Sequence, residues 1–442
     1  MTDSRITWLR GLASGWLPRV LLVHLVLVAV LNAVRPVVSY RAIALGAGPA
    51  EIGLIAASFG IVSLVIAMPA GRWVDRYGEL VFIGTGVLLV AIVSLTMAFT
   101  DSLLLLAVCM TALGAGQIIA AAAIQTLVAN AGAAEGRDSR FGAHTVVASF
   151  GQLVGPAVAG MIIARALGGA ATTGGVPLHA TDNVFLIAAA AGFVALALAL
   201  TLWRRPPKDR AFVDRVRPDP QQVLSTRMAI ARVFRVPSMP QAMLASLTVL
   251  STVDILVAYL PVYAVANGIP VETVGLLLAA RGGASMLSRA FMLPLLHRVG
   301  RRRLLVGSML VPASAVAILP VFGGNVAPLL AAMLLIGFGL GLGQPLTMSW
   351  VASRAPVEIR GTALGARLSA NRFGQFAVPA TVGFIAGSAG LFAIFWSLGA
   401  LLVVSAVLVA QAPFDAPRAV DIAAAGDAIA GPTASGAGVQ AD

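Results

Sequence analysis

The sequence predicts an all-α membrane protein with twelve transmembrane helices in two pseudo-symmetric six-helix bundles. Three observations support this prediction: an apolar composition, twelve apolar segments of membrane-spanning length, and a motif repeated in the two halves of the chain. Of the 442 residues, 59% are hydrophobic and only 11% are charged. A soluble domain is about half apolar and about a quarter charged, so this composition indicates a membrane protein.

Each of the twelve apolar segments is long enough to cross the roughly 30 Å hydrocarbon layer, which needs about 20 helical residues. Each must form a helix, because a lone segment in lipid has to satisfy its own backbone hydrogen bonds. The first segment follows basic residues but is too long for a signal peptide, so we expect it to be retained. The predicted spans are 18–39, 50–70, 80–99, 103–127, 142–165, 182–203, 240–264, 272–295, 303–322, 326–350, 361–386 and 389–411.

The segments divide into two sets of six around one basic stretch, RRPPKDRAFVDRVRPDPQQ. The predicted organisation is a first bundle over 1–203, a cytoplasmic linker over 204–238, a second bundle over 239–411 and a tail over 412–442. The tail is rich in Ala, Gly and Asp, and we expect it to be disordered.

Positive charge is distributed unevenly between the loops. Of the 30 Lys and Arg residues, 23 fall on the side of the N-terminus and 2 on the other side. The positive-inside rule therefore predicts an inner (plasma) membrane protein with both termini in the cytoplasm. Topology and anionic lipids explain the net charge of +12 without a nucleic acid partner. The single Cys109 allows neither a disulfide nor a Cys-based metal site, and we expect a monomer without metal or cofactor.

The two halves share a sequence pattern. EGRDSRFGAHTVVASFGQLVGP (135–156) aligns without a gap to EIRGTALGARLSANRFGQFAVP (358–379), at an offset of 223. GRWVDRYG (71–78) matches the stretch ending in HRVGRRR (297–303), at an offset of 222. An even number of helices in each half makes the halves parallel, so the axis that relates them lies along the membrane normal.

Two of these motifs carry a resemblance. GRWVDRYG, with Gly71, Asp75, Arg76 and Gly78, resembles motif A of the major facilitator superfamily, although Glu79 and Leu80 replace its basic pair. GQLVGPAVAG resembles motif C of the proton-coupled exporters of that superfamily, with one departure at Ala159; the matching residues are Gly151, Gly155, Pro156 and Gly160. Over about residues 15–411 the chain resembles a twelve-helix member, and motif C favours export by proton antiport.

The motif residues also have a physical interpretation. Gly151 and Gly155 are four residues apart, so they form a flat patch against which a neighbouring helix can pack, for packing alone or for gating. Charges of both signs recur where the resemblance places a cytoplasmic gate that closes with the inner mouth, although exposed ion pairs are individually weak. These charged residues are Asp75, Arg76, Glu135, Arg137, Arg298, Glu358 and Arg360.

Charges inside the spans point to a site. Asp254 is the only carboxylate well within a span, and Arg281 and Arg372 fall at a similar depth near the midplane, where such carriers bind their substrates. Burial and nearby arginines act oppositely on Asp254, so it could load and release a coupling proton. The alternative is a structural ion pair between Asp254 and Arg281 or Arg372.

Arg281 and Arg372 could also hold an acidic group of the substrate in bidentate fashion. Arg35 is a possible contact from the first half, or it extends to the headgroups. We expect Arg289 and Arg367 to extend to the inner membrane surface. The uncharged cavity candidates are Asn32, Gln117, Gln125, Gln152, Gln344, Asn371 and Gln375, of which we expect Asn32, Gln117, Gln344 and Asn371 to bind substrate.

These observations together predict a proton-coupled secondary transporter of a small organic molecule, most simply an exporter. Proton-coupled uptake of an organic anion is the alternative, and a transport-inactive receptor or scaffold is the alternative of another class. We expect no enzyme, because no catalytic constellation converges within the spans. An ATP-driven pump is not expected, because the sequence lacks a phosphate-binding G-x-x-x-x-G-K-[ST] loop.

Overall fold

The computed structural model describes residues 15–130, 137–168, 176–204, 226–356 and 359–413. These ranges contain helices and no strands. The first bundle consists of α1 (Trp16–Ala44), α2 (Pro49–Tyr77), α3 (Glu79–Ala98), α4 (Leu103–Asn130), α5 (Arg137–Leu167) and α6 (Leu178–Arg204). A short helix, α7 (Thr226–Arg235), precedes the second bundle. That bundle consists of α8 (Met239–Ala266), α9 (Val271–Ala290), α10 (Met292–Val299), α11 (Arg301–Ile318), a 3-10 turn (Leu319–Phe322), α12 (Val326–Arg354), α13 (Arg360–Ala389) and α14 (Phe392–Gln411).

The predicted all-helical fold is confirmed. Ten helices in the described ranges are long and apolar enough to cross a membrane. The other two predicted spans correspond to α9 with α10 and to α13. Each of these spans carries two arginines, which are Arg281 and Arg289 in α9 and Arg367 and Arg372 in α13.

The predicted eighth span, 272–295, is not one continuous helix. The structure breaks it at Phe291, between α9 and α10. Pro294 explains the break, because it has no N–H to donate to the carbonyl of Ala290 and its ring collides with that carbonyl. The span is therefore a long helix followed by a short one.

Two equivalent glycines end helices at the motif-A positions. Gly78 follows α2 with a φ of 93°, and Gly300 follows α10 with a φ of 81°. Residues with a side chain rarely adopt a positive φ, so glycine is the residue that permits the turn. The two residues are 222 positions apart, as the repeat predicts.

The bundles meet mainly along two helix pairs, α2 with α13 and α5 with α9. Successive spans run in opposite directions, so every helix connection lies at one of two opposite ends of the molecule. The linker end is the end at which α6 finishes and α8 begins, and the distal end is the end at which α1 joins α2 and α8 joins α9. Both interfaces run from the distal end towards the middle of the molecule.

A buried arginine joins three segments of the first bundle at the distal end. Arg41, at the end of α1, is only 2% exposed. Its guanidinium donates to the carbonyl oxygen of Thr100 at 3.0 and 2.8 Å and to the hydroxyl of Thr181 at 3.0 Å. It also pairs with the carboxylates of Asp182 and Asp101. Arg41 therefore has both hydrogen-bond acceptors and negative charge around it.

Candidate functional site

The α5–α9 interface depends on glycine in its distal half. A methyl group added at Gly275 would lie 2.6 Å from the carbonyl oxygen of Pro156 and 3.1 Å from the Cα of Gly160. One added at Gly282 would lie 2.9 Å from the carbonyl oxygen of Gln152. Backbone contacts this close leave no space for a side chain, so the two helices meet backbone to backbone.

The α2–α13 interface repeats this arrangement at equivalent positions. A methyl group added at Gly53 would lie 2.7 Å from the carbonyl oxygen of Pro379 and 2.7 Å from the Cα of Gly383. One added at Gly60 would lie 2.8 Å from the backbone nitrogen of Phe376. Gly53 and Gly60 are offset by 222 from Gly275 and Gly282, while Pro379 and Gly383 are offset by 223 from Pro156 and Gly160. We call these two interfaces the distal seams.

The other glycines of the α5 motif contact α1 in the same bundle. A methyl group at Gly155 would lie 2.4 Å from the carbonyl oxygen of Ala29, and one at Gly151 would lie 2.9 Å from the side chain of Val28. The motif therefore packs α5 against α1 on one side and against α9 on the other.

A hydroxyl reinforces one distal seam. Tyr259 of α8 is buried, and its hydroxyl donates to the carbonyl oxygen of Pro49, the first residue of α2, at 2.8 Å. Together with the glycine contacts, this bond closes the space between the bundles at the distal end.

At the linker end the bundles are apart and enclose an open cavity of about 880 Å³. Residues of α4, α5, α9, α10, α12 and α13 line it, so both bundles contribute. Its wall combines the polar side chains of Ser149, Arg289, Gln344 and Arg367 with apolar ones. The molecule is therefore closed at the distal end and open at the linker end.

Asp254 lies between the bundles, and its partner is Arg35. The Oδ1 atom of Asp254 is 2.7 Å from Nη2 of Arg35, and the side chains are 4% and 14% exposed. The Arg35 guanidinium also lies 4.4 Å from the centre of the Phe59 ring. The pair joins α1 of the first bundle to α8 of the second. Arg35 thus reaches inward rather than to the headgroups, and neither Arg281 nor Arg372 forms an ion pair with Asp254 among the described residues.

A glutamine connects Asp254 to Arg372. Gln375 of α13 donates to Oδ2 of Asp254 at 2.7 Å, and its Oε1 accepts from Arg372 at 2.6 Å. Arg372 also donates to Oε1 of Gln117 at 3.5 Å. Gln375 is one of the uncharged cavity candidates that the sequence indicates, and it is the equivalent of Gln152 in the repeat.

Arg281 belongs to the same cluster without a direct bond. It is 2% exposed, its Nε atom has no hydrogen-bond partner, and its side chain makes no hydrogen bond to the described residues. The charges of Asp254, Arg289 and Arg35 act on it most strongly. Arg35, Asp254, Arg281 and Arg372 therefore form one central charge cluster with a single carboxylate.

The expectation that Arg289 and Arg367 extend to the membrane surface is wrong. Both side chains line the cavity. Arg367 is 5% exposed and donates to Oε1 of Gln344 at 2.7 Å and to the Thr347 hydroxyl at 3.2 Å. Arg289 donates to the hydroxyl of Ser149 on α5, in the other bundle, at 2.8 Å. Sequence spacing gave their depth but not the side of the helix they occupy.

The remaining predicted polar residues are distributed around the cluster. Gln344 lies in the cavity wall and also donates to the carbonyl of Ser246 at 2.8 Å. Asn371 is buried, donates to Gln344 at 3.5 Å and leaves its Oδ1 without a partner. Asn32 donates within its own helix, to the carbonyl of Val28 at 2.8 Å.

The predicted cytoplasmic gate is described only in part. Gly71 lies in α2, Gly78 ends that helix, and Arg298 is exposed in α10. The residues Glu135 and Glu358 lie outside the described ranges, as do the side chains of Asp75, Arg76, Arg137 and Arg360.

Comparison with known proteins decides the family. A profile of the Major Facilitator Superfamily matches residues 20–272 and, a second time, residues 242–428. The chain belongs to the major facilitator superfamily. The two matches also fit a chain whose halves are repeats. No curated protein matches the chain.

Solved structures of other superfamily transporters have the same fold. The nucleoside transporter NupG has a TM-score of 0.72 and 14% identity, over 89% of this chain and 98% of that chain. A D-xylose-proton symporter has a TM-score of 0.70 and 17% identity, over 89% and 96%. The xylose transporter XylE from E. coli, in an inward-open conformation, has a TM-score of 0.69 and 15% identity, over 90% and 96%. At these identities the likeness establishes the fold alone, and the family makes this chain a multi-pass secondary transporter.

Proposed function

We propose that this major facilitator superfamily protein is a proton-coupled transporter that moves a small organic molecule by alternating access. Asp254 is the group that carries the coupling proton. The observation that carries this proposal is the buried Asp254–Arg35 pair, with 2.7 Å between the charged atoms, which connects the two bundles near their midplane.

Protonation of Asp254 would change the contact between the bundles. A charge within the membrane is costly unless it faces a partner or a cavity, so the ionised carboxylate favours the paired arrangement. When Asp254 is neutral, Arg35 loses its counter-charge, and the link between α1 and α8 is weakened. A proton that binds one arrangement better than the other shifts the balance between them, which is the requirement for coupling.

The distal seams supply the moving contact in this scheme. Rocking of the bundles would separate the glycines of α2 from those of α13, and likewise α5 from α9, while the linker-end cavity closes. The charged residues of the predicted gate, among them Asp75, Arg76, Glu135 and Arg298, would then meet at the linker end. We propose that this end is cytoplasmic, with both termini on that side of the inner membrane.

Two directions of transport are consistent with coupling at Asp254. Export by proton antiport is favoured by the α5 glycine motif, Gly151, Gly155, Pro156 and Gly160, of which Pro156 and Gly160 lie in one distal seam. Uptake of an organic anion with protons is favoured by the central charge cluster, where three arginines surround one carboxylate. In either case the protein would act as a monomer in the bilayer on its substrate and protons, without a cofactor, a metal or a nucleic acid.

The test compares proton coupling in everted membrane vesicles that contain the wild type, Asp254→Asn or the control Asp101→Asn. The Asp101 side chain is 78% exposed at the distal end, so its variant removes a carboxylate outside the central cluster. Lipophilic cations and organic anions are added singly to energised vesicles, and a pH-sensitive dye reports the pH gradient. We expect at least one compound to collapse the gradient in the wild type and the control but not in Asp254→Asn.

The result also separates the alternatives. A compound that is transported equally by the wild type and Asp254→Asn, with equal proton movement, would refute the assignment of Asp254. If no compound moved or dissipated the gradient, the transport-inactive receptor or scaffold would be favoured instead.

A further inference from the structure

We infer that the linker-end cavity binds an amphipathic organic anion, with the acidic group of the ligand between Arg289 and Arg367. The apolar part of the ligand would lie against the hydrophobic wall of the cavity. This inference rests on the proposed function, because it names the substrate class of the proposed transporter.

The cavity is positively charged. No Asp or Glu is among the described residues that line it, whereas two arginines are. Arg289 donates to Ser149 and to the carbonyl of Gly341, and Arg367 donates to Gln344 and Thr347, so every bond goes to a neutral oxygen. The Nε atom of the buried Arg367 has no hydrogen-bond partner in the described part of the chain. The cavity therefore carries two positive charges that the described residues around it do not balance.

Two other arginines of the same chain have carboxylate partners. Arg41, which is 2% exposed, is paired with Asp182 and Asp101, and Arg35 is paired with Asp254. An unpaired buried charge is unfavourable, so an arginine with a purely structural role usually lies beside a carboxylate. The missing negative charge beside Arg289 and Arg367 is the property expected of a site that receives it from a ligand.

The rest of the cavity wall indicates what accompanies the acidic group. Phe141, Met286, Leu287, Met348 and Leu364 form an apolar surface around the two arginines. Methionine side chains are flexible and adapt to ligands of different shape. The volume of about 880 Å³ suits an organic molecule of drug size, since ligand pockets are about 300–1,000 Å³. This wall fits an apolar body better than a sugar or an inorganic anion.

The position of the pair also gives a route to the central cluster. Arg372 lies five residues beyond Arg367 on α13, or about 7.5 Å along the helix axis, and Arg281 lies eight residues from Arg289 on α9, or about 12 Å. Neither deeper arginine has a carboxylate of its own among the described side chains. An anion that enters between Arg289 and Arg367 would therefore meet further positive charge towards the midplane.

The test measures binding of four probes that share one ring system: 1-naphthyl phosphate, 1-naphthoate, neutral 1-naphthol and cationic 1-naphthylmethylammonium. Dissociation constants are measured by calorimetry with the purified full-length protein in a neutral detergent. We expect both anions to bind at least about tenfold more tightly than naphthol, and the cation to bind most weakly. Arg289→Gln and Arg367→Gln should each weaken binding of the anions by about 10- to 100-fold, because each removes a hydrogen bond to a charged group.

Matched variants keep the test specific. Arg289→Lys and Arg367→Lys retain the charge and should recover part of the affinity, whereas Arg232→Gln, at an exposed position of α7, should leave it unchanged. Monodisperse elution and an unchanged melting temperature show that a variant is folded. Equal binding of naphthol and the anions, no binding of the anions by the folded wild type, or undiminished binding in both Gln variants would overturn the inference.

The outcome is distinguishable from failure of the proposed coupling. Asp254→Asn should still bind the anions while it loses proton-driven transport. Loss of transport in Asp254→Asn by a protein that does not prefer anions would refute only the substrate class. Selective anion binding that needs Arg289 and Arg367, in a protein whose transport is insensitive to Asp254→Asn, would refute only the coupling.

Discussion

The distal and linker ends of the interface between the bundles are built in different ways. At the distal end, glycines such as Gly53 and Gly275 bring backbones together at equivalent positions of the two halves, and Arg41 is surrounded by carboxylates. At the linker end the bundles enclose a cavity whose arginines have only neutral partners. The glycine contacts of the distal end are repeated in the two halves, whereas the cavity arginines are not.

The repeat makes this difference explicit. With the offset of 223, Arg367 corresponds to His144, and Arg372 corresponds to Ser149. His144 instead stacks on His24, with 4.1 Å between the ring centres. In the proposed function, the glycine seams common to both halves would serve the movement of the bundles, and the cavity arginines unique to the second half would serve what is transported.

The largest predicted difference concerns buried arginines at the two ends. Arg41→Gln should lower the free energy of unfolding by about 3–5 kcal/mol, because it removes hydrogen bonds from a charged group to the Thr100 carbonyl and the Thr181 hydroxyl, each worth about 1.5–3 kcal/mol. Arg367→Gln should change it by less than about 1 kcal/mol, because it removes a buried charge that has no carboxylate beside it. Denaturant titration of the purified protein measures both values. Equal losses would show that Arg367 is as structural as Arg41.

A smaller effect is predicted at the distal seams. Gly275→Ala places a methyl group 2.6 Å from the carbonyl oxygen of Pro156, so the helices must move apart, at about 1–3 kcal/mol. Gly84→Ala is the control, because nothing lies within 4 Å of the added methyl group. Alanine is the better helix former, so this control should be neutral or slightly stabilised. Equal stability of the two variants would remove the evidence for tight seams.

The smallest predicted effect concerns a helix cap at the same end. The Glu51 carboxylate accepts from the backbone N–H of Gly48 at 2.6 Å at the start of α2. Glu51→Gln should cost about 0.5–1 kcal/mol of unfolding free energy. Glu272→Gln is the matched control, because Glu272 lies in the first turn of α9, where no side-chain cap bond forms. A loss above about 2 kcal/mol would show that the cap, not the seam, dominates this end.

Much of this architecture follows from local sequence properties. Apolar segments predict the helices, and the repeat predicts that Gly78 and Gly300 are equivalent. Each of these features can be recognised from a short stretch of sequence. The depth of Asp254 follows from counting along the helix. The partner of Asp254 does not, because Arg35 comes from the other bundle and the two meet only after the bundles have packed.

The cavity was harder to predict for a related reason. Arg289 and Arg367 look like residues that extend to the headgroups when only their depth is considered. Whether they face lipid or cavity depends on the rotation of α9 and α13 about their axes, which the bundle interfaces set. The break beside Arg289 had a local signal, Pro294, that fixes where the helix must end.

Rocking of the bundles during transport, as proposed, requires the distal seams to open. Ala50 of α2 and Gly387 of α13 allow a direct test. A Cβ added at Gly387 would lie 3.5 Å from the Cβ of Ala50, and this Cβ–Cβ distance suits a disulfide. The double variant Ala50→Cys/Gly387→Cys, with Cys109→Ser to remove the native thiol, is oxidised and assayed with a transported compound. The single variants serve as controls. We predict that the oxidised double variant loses transport and regains it on reduction; full transport with the disulfide intact would show that the distal seam does not open during transport.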